Sequence, residues 1–292
     1  MTADQTTVLL PFTPPYEAGP ALAVLAAHAI PGAEAVDPVK RSYTRLIPTG
    51  TGTIAVTIRF AADHVVLQLD AAAEVGIAFV TRGVRRWLDL DADLASVHRT
   101  LGGDPVLSLL IAARPGLRVI GHPDGFAAAM TTVLGQQVSL AAGRTFAGRL
   151  VAAYGRPGPA GLTVFPEPER LAKVTPTELQ QAIGVTGARA RTLHALAEAC
   201  ADGLLIDPDG DHADIRRRLL ALPGIGPWTV DYLAVRVLGD RDAYPAGDLV
   251  LRRALGGISA RAAIEAASAW SPYRAYAVFH LWTRAVYTRG TT

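Results

Sequence analysis

Cysteine is nearly absent from this 292-residue chain: Cys200 stands alone. A single thiol excludes an internal disulfide, a cysteine-ligated iron–sulfur cluster and a multi-cysteine zinc site. Lysine is almost as scarce. Lys40 and Lys173 are the only two among 28 basic residues, and arginine supplies the rest. Any chemistry needing a lysine nucleophile therefore has only these two positions to use. Long apolar runs are missing as well, since stretches such as Ala21–Ala27 and Val106–Ala113 are far too short to span a bilayer. The N-terminus shows neither a basic segment nor a cleavable apolar stretch, so the expectation is a soluble, cytoplasmic protein with no membrane partner. The seven histidines show no ligand spacing, which argues against a metal-dependent hydrolase. A net charge of +2 does not by itself call for a nucleic acid. Arginine forks suit phosphate, but a GC-rich genome would give the same arginine bias.

What is present is apolar bulk: half of the residues are hydrophobic, enough for a sizeable core, and the length suits two domains. Residues 1–100 read as a small α+β domain. Thr53–Phe60 alternates apolar and polar side chains, Ala61–His64 makes a turn, and Val65–Leu69 supplies a second strand of an antiparallel hairpin. Ala21–Ala29 and Val75–Leu88 read as helices. From Leu101 onward strand signals nearly vanish, and residues 101–292 read as a two-lobed all-helical body. Its helices are expected at Phe126–Leu134 with Pro123-Asp124-Gly125 as a start signal, from Ser139 (as N-cap) to Gly155, and at Leu171–Val174, Thr177–Ile183, Ala188–Asp202 and Ala213–Leu220. Trp228–Leu238, Leu249–Leu255, Ala260–Trp270 and Tyr273–Tyr287 follow.

The most informative stretch is Leu222-Pro223-Gly224-Ile225-Gly226-Pro227-Trp228-Thr229, which joins two helical patterns. Pro227 can open the downstream helix, where a missing N–H costs nothing. Glycines at 224 and 226 permit positive φ and close approach of backbone to a ligand. Ile225 between them should fold inward as an anchor. Outward N–H groups at a helix N-terminus suit sequence-blind grip on a phosphate. A tight turn with ordinary Gly and Pro punctuation is the plainer alternative.

Downstream, Ala243-Tyr244-Pro245-Ala246-Gly247-Asp248 leads into a helix. Asp is a favoured N-cap, and that alone would explain Asp248. A carboxylate there is also kept ionised by the helix dipole, as an electrostatic catalyst requires.

The hairpin with its following aspartate resembles the helix-hairpin-helix DNA glycosylases. Within that superfamily the chain is similar to the bacterial 3-methyladenine DNA glycosylase II branch. The likeness includes Pro14-Pro15-Tyr16, Arg86-Trp87-Leu88-Asp89-Leu90 and Ala113-Arg114-Pro115-Gly116-Leu117. It continues in Val133-Leu134-Gly135-Gln136-Gln137-Val138-Ser139 and in Tyr273-Arg274-Ala275-Tyr276-Ala277 with His280-Leu281-Trp282. The resemblance implies a monomeric glycosylase that hydrolyses alkylated bases from double-stranded DNA, with Asp248 as catalytic carboxylate. It implies that Trp228, Tyr232 and Trp282 line a base pocket. Gly224, Ile225, Gly226, Thr229 and Gln136 would contact DNA, and Gln137 would enter the duplex where the flipped base leaves a gap. This wedge position is leucine in the best-known member. Backbone carbonyls of Leu220, Leu222 and Gly224 would hold a structural Na⁺ or K⁺, with no cofactor needed for catalysis.

Such a pocket is expected to be walled by aromatic faces with few hydrogen-bond donors. Members that also cut the backbone place a lysine where Trp228 stands, so no lyase activity is expected. Read singly, Trp228 and Tyr232 at i and i+4 could be core, and Gln136-Gln137 a polar turn. The alternatives are a non-catalytic DNA-binding module, which has no need of Asp248 and the aromatics, and a glycosylase of the same superfamily for another lesion.

Overall fold

The computed structural model describes residues 5–49, 52–70 and 76–287. Strands β1 (Gln5–Pro11), β2 (Glu34–Asp37), β3 (Ser42–Thr49), β4 (Gly52–Phe60) and β5 (His64–Asp70) pair antiparallel in the order β1-β5-β4-β3-β2. The expected hairpin is β4–β5, with Phe60 opposite Val65 across the turn. Ile54, Val56, Ile58 and Phe60 alternate along β4 and are all buried, as one core-facing side requires. The other three strands are not visible in the sequence pattern. β2 has only four residues, and β1 is an edge strand whose Leu9 stays exposed beside buried Leu10.

Helices α1 (Ala18–His28) and α2 (Ile77–Trp87) cover the inner face of the sheet, burying Val24, Leu25, Val80, Val84 and Trp87 in the core that holds Ile58 and Leu67. The α2 helix expected from Val75 starts at Ile77; Val75 itself lies outside the described residues. On the opposite face, Leu46 and Ala55 pack with Val164 from the loop after residue 155.

Helices α3 (Leu94–Leu101) and α4 (Pro105–Ala113) begin at Asp93 and Asp104, whose carboxylates accept the first free N–H groups. α5 (Gly125–Gly135) and α6 (Leu140–Tyr154) start at the expected caps, Asp124 and Ser139. The loop at 156–168 carries a two-residue ladder, β6 (Arg156–Pro157) with β7 (Thr163–Val164). Then come α7 (Pro168–Leu171), α8 (Pro176–Ile183), α9 (Gly187–Ala201), α10 (His212–Leu220), α11 (Pro227–Leu233), α12 (Leu249–Ala254), α13 (Ala260–Ala266) and α14 (Arg274–Trp282). The helix expected at Leu171–Val174 lies instead at Pro168–Leu171, because Pro168 supplies a preset first helical position. Two long helices expected from the pattern end in single π turns, Ala234–Leu238 after α11 and Thr283–Tyr287 after α14. Both π turns reach the site described below.

The N-terminal motifs meet at one junction. Arg118 is 2% exposed and donates only to carbonyls: Nη1 to Asp89 and Ala92 at 3.1 and 3.2 Å, and Nη2 to Pro15 at 2.7 Å and to Thr13. The Asp89 carboxylate accepts from the Tyr276 hydroxyl at 2.8 Å, and Glu17 accepts from the Gly116 N–H at 3.0 Å. Pro14-Pro15-Tyr16, the Arg86–Leu90 run and the Ala113–Leu117 run therefore fasten the sheet domain to α14. The four carbonyls bonded to Arg118 meet a charged donor, which makes each of those bonds stronger than a neutral one.

Candidate active site

The Leu222–Thr229 segment turns between α10 and α11. Gly224 has φ +79°, and a Cβ there would sit 2.1 Å from Thr192 Oγ1, so both its backbone and its surroundings demand glycine. Gly226 differs from the expectation. Its φ is −109°, an ordinary extended value, and a Cβ would meet nothing within 4 Å. The fold therefore has no use for glycine at 226; what the missing side chain leaves open is the surface just ahead of α11. Ile225 folds inward as expected, at 5% exposure, and Thr229 is buried.

Gln136 ties this hairpin to the end of α5. Its amide donates to Gly224 O at 3.2 Å and to Thr229 Oγ1 at 3.0 Å, while its own carbonyl accepts from Arg189. Its side chain is thus directed into the protein. Gln137 next to it is exposed and has φ +56°, an uncommon conformation for a residue with a Cβ. Two neighbouring glutamines therefore face opposite ways, one clamping the hairpin and one standing free beside exposed Val138 and Leu140.

Asp248 caps α12, its Oδ1 accepting the Leu251 N–H at 2.9 Å. The same oxygen accepts from Trp282 Nε1 at 3.3 Å, and Oδ2 accepts from Trp228 Nε1 at 3.0 Å. Two indoles and a helix N-terminus thus hold one carboxylate that is only 8% exposed. Tyr232 lies between the indoles, its ring centroid 5.5 Å from Trp228 and 5.6 Å from Trp282. Asp248, Trp228, Tyr232 and Trp282 all line one cavity of about 370 Å³. That volume is the size of a small-ligand site.

The remaining lining departs from the expectation of few donors. Arg236, Arg144, His28, His122 and Tyr287 face the same cavity. Arg236 Nη1 donates to Tyr232 Oη at 3.0 Å, and the Tyr287 hydroxyl meets His28 Nε2 at 2.9 Å. Burial, reinforced by Arg236 and Arg144, holds the His28 imidazole well below its ordinary range, and burial with Arg45 and Arg236 does the same to His122. Both rings are neutral near pH 7. Burial likewise pushes the Tyr287 hydroxyl far above its ordinary range, so it stays protonated.

These polar residues were missed in the sequence for a simple reason: His28 comes from α1 and Tyr287 from the last π turn, 259 positions apart. One signal was available. Trp228, Tyr232 and Arg236 recur at i, i+4 and i+8, placing the arginine on the face that carries the aromatics.

Two family models match this chain, "AlkA N-terminal domain" over residues 7–124 and "HhH-GPD superfamily base excision DNA repair protein" over 130–268. It is 32% identical to DNA-3-methyladenine glycosylase 2 of Escherichia coli over 96% of this chain and 97% of that one. The chain belongs to the AlkA-type DNA glycosylases of the HhH-GPD superfamily. Another relative, the probable bifunctional transcriptional activator/DNA repair enzyme AlkA of Mycobacterium tuberculosis, is 42% identical over 97% of this chain, which spans only 58% of that protein's length. Among solved structures, 3-methyladenine DNA-glycosylase from Archaeoglobus fulgidus shares the fold, with a TM-score of 0.82 at 20% identity, covering 96% of this chain and 98% of that one. The AlkA-type frame thus comprises the sheet domain and the helical body together, and the cavity takes residues from both. Among the described residues no helix is long and apolar enough to cross a membrane, and no cluster of three His, Cys, Asp or Glu side chains could hold a metal ion.

Proposed function

We propose that this protein is a monofunctional glycosylase that hydrolyses the N-glycosidic bond of alkylated bases, 3-methyladenine and 7-methylguanine, in duplex DNA. The observation that carries the reading is the Asp248 carboxylate, held by Trp228 Nε1, Trp282 Nε1 and the α12 N-terminus at the wall of an aromatic cavity. A stacked base cannot enter such a cavity, so the nucleotide must be extruded at a cost of a few kcal/mol. Gly226, where a side chain would serve no internal purpose, leaves the α11 N-terminus open to a phosphate. Exposed Gln137 fills the gap left in the duplex, with its strained backbone holding the side chain outward.

The C1′–N bond then breaks through an oxocarbenium-like sugar. Asp248, fixed before the reaction begins, stabilises that positive charge and orients water toward C1′. An alkylated purine that is already cationic leaves without being protonated first. No lysine faces the cavity: Lys40 is exposed and paired with Asp37, and Lys173 is exposed. Hydrolysis therefore proceeds without a Schiff base, and the abasic strand stays intact.

The carbonyls of Leu220, Leu222 and Gly224 suit a monovalent cation. Leu220 closes α10 at its negative end, and Leu222 and Gly224 add neutral oxygen donors from the hairpin that follows. Gly224 O also accepts from Gln136, which leaves its second lone pair for the ion. A Na⁺ or K⁺ there would rigidify the hairpin and take no part in bond breaking. We further read the protein as acting on DNA as a monomer.

The test is to incubate the protein with methylated duplex DNA and identify the bases released. Release of 3-methyladenine and 7-methylguanine is expected, with slower action on hypoxanthine and little on 8-oxoguanine. DNA binding with no base released would make the chain a binding module, and a preference for 8-oxoguanine would assign another lesion.

A further inference from the structure

A buried cation is costly unless something compensates it. Arg236 is 5% exposed, yet among the described residues its side chain finds only neutral acceptors: Tyr232 Oη at 3.0 Å, His28 Nε2 at 3.4 Å and Gly121 O at 3.5 Å. Its Nε has no hydrogen-bond partner among the described residues. The guanidinium also lies against two ring faces, 5.6 Å from the Tyr232 centroid and 6.0 Å from Phe279. It faces the same cavity as Asp248. The two charges have different holders: Trp228 and Trp282 bond Asp248, whereas Arg236 bonds Tyr232 Oη and His28 Nε2. The cavity wall therefore holds a fixed negative charge on one set of partners and, on another, a fixed positive charge with no carboxylate partner among the described residues.

That polarity matches the bond being broken. When C1′–N cleaves, the bonding pair leaves with the base nitrogen, the sugar becomes positive, and a base that was neutral becomes an anion. Water then forms the C1′–O bond, and the proton it loses ends on the departed base. We propose that Arg236, with Tyr232 as its hydrogen-bonded partner, is a specificity-determining residue that stabilises negative charge on a departing neutral base. For a base that is already cationic, the same guanidinium opposes binding. Arg236 thus sets the balance between neutral and cationic lesions, in a site whose aromatic faces alone would favour cations. The inference rests on the glycosylase reading above.

The experiment compares wild type with Arg236→Met and Arg236→Lys. Single-turnover efficiency (maximal rate over half-saturating enzyme concentration) is measured on duplexes carrying hypoxanthine, a neutral base, or 7-methylguanine, a cationic one. The readout is the ratio of the two efficiencies. Arg236→Met should lower the hypoxanthine to 7-methylguanine ratio by about 10²-fold, the size of one transition-state electrostatic contact. Arg236→Lys should hold it nearer wild type. A misfolded variant would lose both activities together, so the ratio, together with the lysine variant, separates charge from packing. An unchanged or increased ratio in Arg236→Met overturns the proposal while leaving the glycosylase reading intact, and so does equal loss in the methionine and lysine variants. Wild-type protein inactive on both duplexes removes the glycosylase reading, and this inference with it.

Discussion

Replacing Asp248 with asparagine changes one oxygen to NH₂, and the structure shows why that small change has two separable effects. Every partner of the carboxylate is a donor: Leu251 N–H and Trp282 Nε1–H on Oδ1, and Trp228 Nε1–H on Oδ2. Whichever way the amide turns, its NH₂ meets another N–H. The less costly orientation keeps oxygen toward Leu251 and Trp282, so the clash falls on Trp228. A buried donor left without an acceptor costs about 1–3 kcal/mol, a drop of a few degrees in Tm. Loss of the negative charge should independently reduce base release by ~10²-fold or more, while DNA binding survives.

Trp228→Phe separates the two effects, because it removes the opposing N–H and keeps an aromatic ring. In a double-mutant cycle followed by thermal unfolding, Asp248→Asn should destabilise the Trp228→Phe background by less than it destabilises wild type. Activity should stay low in both backgrounds. Equal destabilisation in the two would refute the donor-against-donor argument, and base release at the wild-type rate by Asp248→Asn would refute the catalytic assignment.

The hairpin glycines should behave oppositely: Gly224→Ala loses stability through its positive φ and Thr192, whereas Gly226→Val folds normally but binds unrelated duplexes more weakly, and all by a similar factor. Fluorescence anisotropy on several sequences, paired with melting curves, checks this, and unchanged affinity for Gly226→Val would return the hairpin to a simple turn. Borohydride should trap no enzyme–DNA adduct on a lesion duplex, and the abasic product should stay uncut until alkali is added; a trapped complex through Lys40 or Lys173 would reverse the assignment. Acidification should destabilise the fold. His28 and His122 titrate well below their ordinary 6.5 when folded, and His280 is lowered to about 4, chiefly by burial. Below pH 6.5 the unfolded chain takes up protons the folded one refuses, so stability is full above that pH and falls as pH drops toward 4. A Tm that is equal or higher at pH 5 than at pH 7.5 would contradict this.

Local chemistry made much of this molecule readable in advance. Asp124 and Ser139 announce their helices, the β4–β5 hairpin shows its alternation, and Leu222–Thr229 declares a turn between helices. Readability failed where partners are distant or short. The four-residue β2 has too little length for a pattern, and His28 and Tyr287 on the cavity wall come from α1 and the final π turn, which no local spacing can bring together. Gly224 and Gly226 look interchangeable as letters. Only the backbone shows that the first is required by the fold and the second is not. The two glutamines likewise separate only once Gln136 is seen bonded to Gly224 and Thr229. Arg236 was on the same helix face as Trp228 and Tyr232, but a lone arginine reads as solvated until its burial is known.

The pairing of His28 with Tyr287 also bears on the order in which capabilities arise. The hairpin is local: α10 and α11 are joined by six residues, so closing it costs little chain entropy. The cavity needs a contact spanning 259 positions, the kind that forms late because a large loop must close before anything is gained. A molecule still folding would thus acquire the hairpin before it acquires a walled pocket. On the glycosylase reading, no enclosure for a base exists until His28 and Tyr287 meet, so base release should track the fully folded population.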